Sequence, residues 1–434
     1  MMKHLISSIP VLLALLTASG AAAQTANTFS AGLDHLTRGE LRKGGLSADE
    51  ESPASLAAFI LGRTRLNLDY ARPTLSARLS VQHAGTWGST DAGSVRVFEA
   101  WTQLRSEKGY FLKLGRQNLS YDDQRIFGND DWAMTALSHD VIKAGYEGHG
   151  HKFHLILGFN QNPENMGGGS YFSGGLQPYK AMETVWYHWD VPRTPLGASL
   201  LFMNACIQGG TKGEDEANHQ QQIFGTFLSF KPKGFSAEGA LYWQRGEDEG
   251  GIPISAWMGS IKTVFTLGEN GSSLYAGYDF MSGDENFATP SQGHIGLTRH
   301  EVIRGFNSLY GSHHKFFGAM DFFYVTTYVG GFTPGLQNLY AGGAWKPVKG
   351  LTFDASYHFL ATAAKLRNAD RPLGHEVEFS AGYSLARDIR LSAGYSFMYG
   401  TETMEVLKRS SENRRLHWGW IMLTVTPSIF SSKW

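Results

Sequence analysis

Arginine and aspartate alternate with apolar residues in the stretch Ala57–Gln82, AAFILGRTRLNLDYARPTLSARLSVQ. Arg63, Arg65 and Asp69 occupy one set of alternate positions, and the other set is largely apolar. Successive side chains of a strand point to opposite faces, so one face is charged and the other is apolar. Guanidinium groups stay charged and bind carboxylates through paired hydrogen bonds. The stretch therefore predicts a barrier between water and lipid, and its charged, water-facing side can bind anions.

The same alternation places further charged side chains on the predicted lumen face. The early strands contribute Arg63, Arg65, Arg78, Glu99, Arg105 and Lys113, with Arg116 and Arg125 at the outer rim. The later strands contribute mainly acids, which are Glu238, Asp279, Asp354, Glu376 and Glu378, together with Arg245 and Arg390. Closing such a sheet would put opposite charges on different arcs of one pore and create a field across it. For any single arginine, an ion pair that stiffens the wall fits the pattern equally well.

The region Gly283–Pro334 is the longest stretch without strand alternation. Loops beyond about 15 residues in a compact fold are usually functional or disordered, and the phenylalanines here argue against disorder. We predict that this region is a constriction or lid over the pore. Its charged candidates are Arg299, Arg304, His314, Lys315 and Asp321.

Few residues suggest a metal or a covalent reaction. The acidic pairs Asp122-Asp123 and Asp130-Asp131 are candidate calcium ligands at the outer rim, although they lack the spacing of a calcium loop. Cys206 is the single cysteine, so no internal disulfide forms, and no base pattern surrounds it. The sequence predicts no enzyme and no cofactor beyond calcium.

The connections between alternating segments are of two kinds, as in a transmembrane β-barrel with short periplasmic turns and long extracellular loops. The short, Pro- and Gly-rich turns are Ala71–Pro73, Ser106–Gly109, Glu147–His151, Pro192–Pro195, Pro232–Gly234, Gly268–Ser272, Pro347–Gly350 and Arg387-Asp388. The long connections are Gly39–Ser55, Gly85–Ser94, Ser120–His139, Asn160–Lys180, Gln208–His219, Glu247–Pro253, Ala363–Gly374 and Gly400–Arg414. With Gly283–Pro334 as the ninth, both chain ends are periplasmic and the barrel has 18 strands. A strand at Lys315–Val329 with a nearby partner would give 20.

The N-terminus has the three parts of a secretory signal: a basic start, an apolar run too short to span a membrane, and an Ala-Ala-Ala site. We expect residues 1–23 to be removed and residues 24–434 to form a single barrel domain in the outer membrane of a Gram-negative-type bacterium. The formal net charge of −1 gives no argument for nucleic-acid binding.

Two stretches resemble the alginate export family of outer-membrane barrels. They are Gly115–Asp140, GRQNLSYDDQRIFGNDDWAMTALSHD, and Phe306–Phe323, FNSLYGSHHKFFGAMDFF. The resemblance implies an 18-stranded monomer with an arginine-rich lumen, loops that fold into the pore, and passive passage of an anionic polyuronate. The charges on this lumen are mixed, which departs from the family pattern.

We therefore predict a channel for a polar, acidic saccharide or a similar small solute, embedded in outer-membrane lipid and lipopolysaccharide. Two alternatives remain open. One is a structural barrel with a plugged lumen, which would carry no current. The other is an outer-membrane hydrolase, whose Ser/His or Asp/His groups would come from distant strands.

Overall fold

The structure is a computed structural model that describes residues 26–44, 56–89, 93–161, 169–171, 177–211, 213–284, 301–323, 333–366, 369–408 and 414–434. Its strands are β1 (Thr28–Lys43), β2 (Leu56–Arg72), β3 (Leu75–Thr86), β4 (Ser94–Arg105), β5 (Tyr110–Gln117), β6 (His139–Gly148), β7 (His151–Phe159), β8 (Ala181–Asp190), β9 (Leu196–Gly209), β10 (Ala217–Phe230), β11 (Phe235–Glu247), β12 (Pro253–Leu267), β13 (Ser272–Met281), β14 (Leu336–Trp345), β15 (Leu351–Ala361), β16 (Pro372–Ala386), β17 (Ile389–Gly400), β18 (Arg415–Val425) and β19 (Ser428–Lys433). A 3-10 turn, His313–Lys315, and helix α1, Glu402–Lys408, lie between strands. No helix in these ranges is both long and apolar enough to cross a membrane.

The strands form one closed antiparallel sheet. Each strand from β2 to β17 pairs with its sequence neighbours, and β1 pairs with β2 on one side and with both β18 and β19 on the other. The last two strands together occupy one strand position in the wall, and each such position is called a stave here. This last stave is interrupted at Pro427, whose carbonyl accepts a hydrogen bond from the Leu33 amide at 3.1 Å. The barrel therefore has 18 staves and no free edge, which confirms the predicted count.

Connection lengths alternate around the barrel as the sequence predicted. The eight short connections fall at the predicted turns, and β13 ends at Met281 while β14 begins at Leu336. The 20-strand alternative is wrong, because the described part of Lys315–Val329, up to Phe323, contains turns and no strand. Residues 324–329 lie outside the described ranges.

The two faces of the wall differ in chemistry. Leu114 and Ile142 face each other across β5 and β6 and are 44% and 46% exposed. Trp345 lies near a short turn and Trp243 lies near a long connection, and both are exposed on the same outer face. An apolar belt with aromatic residues at both edges is the surface that a bilayer covers. The opposite, inner face carries most of the charged side chains.

A β-bulge in β4 alters what the inner face presents. The register shifts between Ser80 and Val81, which pair with Glu99 and Val97, so Phe98 is the extra residue. Phe98 is buried beneath Arg65, with the guanidinium carbon 3.9 Å from the ring centre. The bulge thus turns an aromatic ring and a carboxylate inward at adjacent positions.

Candidate functional site

Two segments fold into the lumen and pack against each other. The first inner loop is residues 118–138, between β5 and β6, and the second inner loop is residues 301–323, between β13 and β14. Their buried hydrophobic side chains are Leu119, Tyr121, Ile126, Phe127, Phe306, Tyr310, Phe317, Met320, Phe322 and Phe323. The hydrophobic core of this barrel therefore lies inside the pore, where the two inner loops meet the wall.

Backbone hydrogen bonds join the two inner loops. The amide of Gly128 donates to the Tyr310 carbonyl at 2.9 Å, and the amide of Ser312 donates to the Gln124 carbonyl at 2.9 Å. Lys315 Nζ donates to the carbonyl of Asp123 at 3.0 Å. Because these bonds satisfy buried backbone groups, the loops behave as one folded body.

A stacked pair ties this body to the wall of β1 and β18. The rings of Trp132 and His314 lie 4.1 Å apart at an interplanar angle of 10°. His314 Nδ1 lies 2.7 Å from a carboxylate oxygen of the buried Asp321. The guanidinium of Arg38 covers the Trp132 ring at 3.9 Å, and Trp418 meets that ring edge-on. His314 and Asp321, predicted as constriction residues, thus hold the second inner loop in place.

Arg63 and Arg65 anchor the first inner loop to β2. Asp131 lies 3.0 Å from Arg63 Nη1 and 2.8 Å from Arg65 Nη1, and Asp34 lies 3.3 Å from Arg63 Nη2. Burial favours the neutral acid, but the two guanidinium groups outweigh it and hold the pKa of Asp131 below its ordinary value. Both arginines are buried, so their charge is used within the protein.

Two carboxylates of β16 hold the second inner loop on the opposite side. Glu378 accepts a hydrogen bond from the Ala319 amide at 2.6 Å, and Glu376 accepts one from the Met320 amide at 2.8 Å. Gly318 has a φ of +93°, and a Cβ there would lie 2.4 Å from a Glu376 oxygen. Only glycine lets the loop backbone approach the carboxylate this closely.

Arg125 connects the first inner loop to β13. Its guanidinium lies 2.8 Å from Asp123 and 2.5 Å from Asp279, and it covers the Phe316 ring at 3.9 Å. Burial raises the pKa of Asp123 above its ordinary value, although Arg125 opposes this effect. Arg125 was predicted at the outer rim, but the structure places it in the buried centre of the lumen.

The arginines nearest the short turns are half-exposed and paired along the wall. Arg78 lies 2.6 Å from Asp69 and 3.2 Å from Glu99, and Arg105 lies 2.6 Å from Glu147. Such pairs contribute little to stability when water reaches them. They leave part of each guanidinium open to the lumen.

Lys113 and Lys143 face each other directly across β5 and β6 on the inner face. Lys113 Nζ lies 3.6 Å from the centre of the Trp101 ring. Within the described residues neither ammonium group has a carboxylate within 4.0 Å. Like charges in directly opposed cross-strand positions are unfavourable, and an anion between them would relieve the repulsion.

A cavity of about 320 Å³ separates the inner loops from the wall of β10 to β16. Its lining mixes cations, anions and aromatic rings, with Arg125, Glu238, Lys262, Tyr275, Asp279, Lys315, Phe316, Tyr340, His358 and Glu378 among its residues. Volumes of this order are typical of sites for small molecules.

Four predicted pore residues need separate comment. The prediction that Arg245 faces the lumen is wrong, because its neighbour Gln244 points inward and donates to the Asn307 carbonyl. Arg116 pairs with Asp140 at 2.7 Å, and its register puts it on the outer face with Leu114. The prediction that Arg116 lines the pore is therefore wrong, because strand parity turns it away from Lys113. Arg304 is exposed on the second inner loop, and its backbone amide donates to Asp284. Arg299 lies outside the described residues.

Three of the four aspartates in the acidic pairs are bound by donors of the protein. The carboxylate of Asp122 accepts hydrogen bonds from Ser199 at 2.6 Å and from Trp186 at 3.0 Å, while Asp123 and Asp131 bind arginines. Calcium needs several oxygen ligands, and these carboxylates are already used within the protein. Among the described residues no group of three or more His, Cys, Asp or Glu is placed to hold a metal.

Two contributors were absent from the sequence prediction. Lys143 matters only because Lys113 lies opposite it, and that pairing depends on the register of β5 and β6. Trp132 matters because it stacks on His314, which is 182 residues away along the chain. Alternation within one strand would have marked Lys143 as inward-facing.

Helix α1 provides a pH-dependent contact above the lumen. Burial lowers the pKa of Lys408 to about 7, and its Nζ lies 5.4 Å from the Phe322 ring. Below about pH 7 this amine is charged in both folded and unfolded chains. Above that pH the folded state releases the proton first, so the packing of α1 is stabilised as pH rises from 7 to about 10.5.

We therefore expect amide-exchange protection in Glu402–Lys408 to increase between pH 7 and pH 9. Lys408→Met, which keeps the apolar stem, should lose this increase and serves as the control for intrinsic exchange rates. Equal pH dependence in both proteins would contradict the assignment.

A closed 18-stave β-barrel with inward-folded loops is the architecture of outer-membrane porins. The chain belongs to the alginate export family, whose family model matches residues 71–368. No curated protein sequence matches it. It is similar in fold to Pseudomonas aeruginosa OpdL (TM-score 0.62, 12% identity, 93% of this chain and 99% of OpdL). It is also similar to P. aeruginosa OccK2 in complex with glucuronate, with a TM-score of 0.61, 14% identity, and coverage of 93% of this chain and 98% of OccK2. A third similar structure is P. aeruginosa OpdK with vanillate, with a TM-score of 0.59, 12% identity, and coverage of 92% of this chain and 98% of OpdK. Family and fold together support an outer-membrane channel.

Proposed function

We propose that this channel passes a small, polar, acidic solute, such as an acidic saccharide, by passive diffusion. The observation that carries the proposal is the opposed pair Lys113 and Lys143 on the inner face. Unpaired ammonium groups in direct opposition attract an anion, and the Trp101 ring beside them offers a surface for a sugar ring.

The distribution of charge around the barrel supports the same solute class. We call the inner-face bases of β2 to β6 the basic arc, consisting of Arg63, Arg65, Arg78, Arg96, Arg105, Lys113 and Lys143. The acidic arc consists of Glu238, Asp279, Asp354, Glu376 and Glu378 on β11 to β16. Strands β4 and β13 are nine staves apart in an 18-stave barrel, so the two arcs face each other. A transverse field of this kind orients a solute that carries both hydroxyl dipoles and a carboxylate.

The solved neighbours support the carboxylate preference. OccK2 is seen with glucuronate and OpdK with vanillate, and both ligands carry a carboxylate. Because most arginines of the basic arc are tied to acids, we place the first solute contact at Lys113 and Lys143. We place a second binding position for the solute in the cavity beside Lys262 and Lys315.

The packed inner loops favour one alternative, a barrel that is closed at rest. Buried contacts such as Phe127 on Tyr310, with ring centres 5.8 Å apart, fill the middle of the lumen. In that case the second inner loop acts as the lid, and transport requires its movement. A permanently plugged structural barrel would carry no solute and no current.

Single-channel recording in a planar bilayer, with the reversal potential measured across a salt gradient, tests the proposal. We expect a conductance that prefers anions and is reduced by glucuronate. Cation preference would overturn the acidic-solute proposal and keep the channel. The absence of current would favour the plugged barrel, and a lipid-hydrolysis assay would then test the hydrolase alternative.

Export and assembly belong to the same proposal. We infer a cleaved signal peptide ending at Ala23, a mature chain that works as a monomer, and contact with outer-membrane lipid and lipopolysaccharide. The mass of the protein extracted from outer membranes tests the cleavage site, and its native mass in detergent tests the monomer.

A further inference from the structure

Four outward-facing side chains form a cationic rim where the wall meets the long connections. The rim consists of Lys43 on β1, His375 on β16, and Arg415 and His417 on β18. Lys43 pairs in register with His417, and Tyr399 of β17 pairs with both His375 and Arg415. Four consecutive staves therefore bring these groups into two adjacent rows.

The outward direction of the rim follows from its neighbours. Glu376, Leu416 and Trp418 alternate with rim residues along the chain, and they are 1%, 1% and 0% exposed in the lumen. Lys43 and Arg415 are themselves exposed. The acids of β1 and β16, such as Glu40 and Glu376, lie at inward positions, so no carboxylate of these strands faces the rim from the same side.

Tyrosines fix the two imidazoles in the same way. The Tyr357 hydroxyl lies 2.6 Å from His375 Nδ1, and the Tyr395 hydroxyl lies 2.7 Å from His417 Nδ1. An imidazole that accepts a hydroxyl proton at Nδ1 carries its own proton on Nε2. In the tautomer where the tyrosine donates to Nδ1, each histidine presents an Nε2–H donor away from the tyrosine.

Below the rim the outer face is apolar. Tyr395, Ile421 and Phe379 are 46%, 55% and 56% exposed, and they continue the belt toward the short turns. Cations above an exposed apolar surface match a lipid that has anionic groups at the head and acyl chains below.

The far side of the barrel lacks this arrangement. There the outward row is Glu183, Asn204, Gln222 and Arg245 on β8 to β11, in direct register. Glu183 and Gln222 both bind Asn204, at 2.8 Å and 2.9 Å. One acid and one base in a row of amides give no net positive charge, so this row does not reproduce the cationic rim.

We propose that the cationic rim binds the phosphate groups of a lipid A-type glycolipid in the outer leaflet, with the acyl chains lying on the apolar belt below. Lys43 and Arg415 supply the charge, and the two histidines add directed N–H donors. A second copy of this chain fits less well, because a two-fold contact at the rim would bring like charges together. The proposal requires an outer-membrane location and does not depend on the solute.

Native mass spectrometry of the refolded mature protein tests the rim with bisphosphorylated lipid A and with its dephosphorylated form. We expect the Lys43→Gln/Arg415→Gln protein to bind bisphosphorylated lipid A about thirtyfold more weakly, since each basic residue near the surface contributes on the order of 1 kcal/mol. Arg245→Gln, on the far side, is the matched control and should bind as wild type does.

Each single variant should lose roughly fivefold in affinity, which keeps the test usable if the double variant folds poorly. Single-channel conductance should be unchanged in all variants, because the rim lies outside the pore. Equal lipid A binding by the double variant, or equal binding of the two lipids by wild type, would overturn the proposal. A change in dimer population without a change in lipid binding would instead identify the rim as a contact between copies.

Discussion

Replacing residues 304–320 of the second inner loop with a short Gly-Ser linker should raise single-channel conductance severalfold. This segment carries Phe306, Tyr310 and Phe317, all less than 6% exposed in the middle of the lumen. The strand ladders of β13 and β14 end at Met281 and Leu336, outside the replaced segment, so the wall should still close.

A matched control shortens the connection at residues 213–216, whose hydrogen bonds in the described structure reach Ser170 and Gln208 and not the inner loops. That variant should keep the wild-type conductance. Unchanged conductance after replacement of 304–320 would show that this segment does not limit the pore.

A milder change distinguishes a movable lid from a fixed plug. Glu376→Gln with Glu378→Gln weakens the two acceptors that hold the Ala319 and Met320 amides, while the loop itself remains. We expect more frequent transitions between closed and open levels in single-channel records. A fixed plug would show the same record as the wild type.

The wall of this barrel was predictable from sequence because it depends on local patterns. Alternation of period two and the length of each connection gave the strand count without any knowledge of pairing partners. The closure of β1 onto β18 and β19 followed from parity alone. The interruption at Pro427 was missed, since a single Thr-Pro step does not disturb the alternation on either side.

The interior of the pore was less predictable because it depends on distant contacts. Arg63 and Arg65 were correctly identified as inward-facing, yet their partner Asp131 lies in the first inner loop, and no local pattern joins these positions. Arg116 was misassigned to the lumen, although β5 continues to Gln117 and the parity of Arg116 is opposite to that of Lys113 on the same strand. The sequence therefore predicted which charged residues lie on a strand, whereas the partner of each ion pair could be identified only from the folded structure.

The Lys113→Gln/Lys143→Gln protein should lose much of its anion preference, with the ratio of anion to cation permeability falling by about half or more. The two ammonium groups are opposed on the inner face and have no carboxylate within 4.0 Å in the described structure. Most arginines of the basic arc are neutralised by acids such as Asp131 and Glu147. The lysine pair therefore carries a large share of the uncompensated positive charge on this arc, the rest lying mainly on Arg96, which donates to the Ala136 carbonyl.

The same substitution separates function from stability. Removing two like charges in direct opposition should leave the free energy of unfolding unchanged or raise it by about 0.5 kcal/mol, even as selectivity falls. Reversal potentials under a salt gradient and urea unfolding in lipid measure the two effects. Arg245→Gln on the outer face is the control for charge removal and should change neither. If Lys113 and Lys143 were retained only to support the wall, their loss would lower stability and leave the reversal potential unchanged, and the acidic-solute proposal would lose its main support.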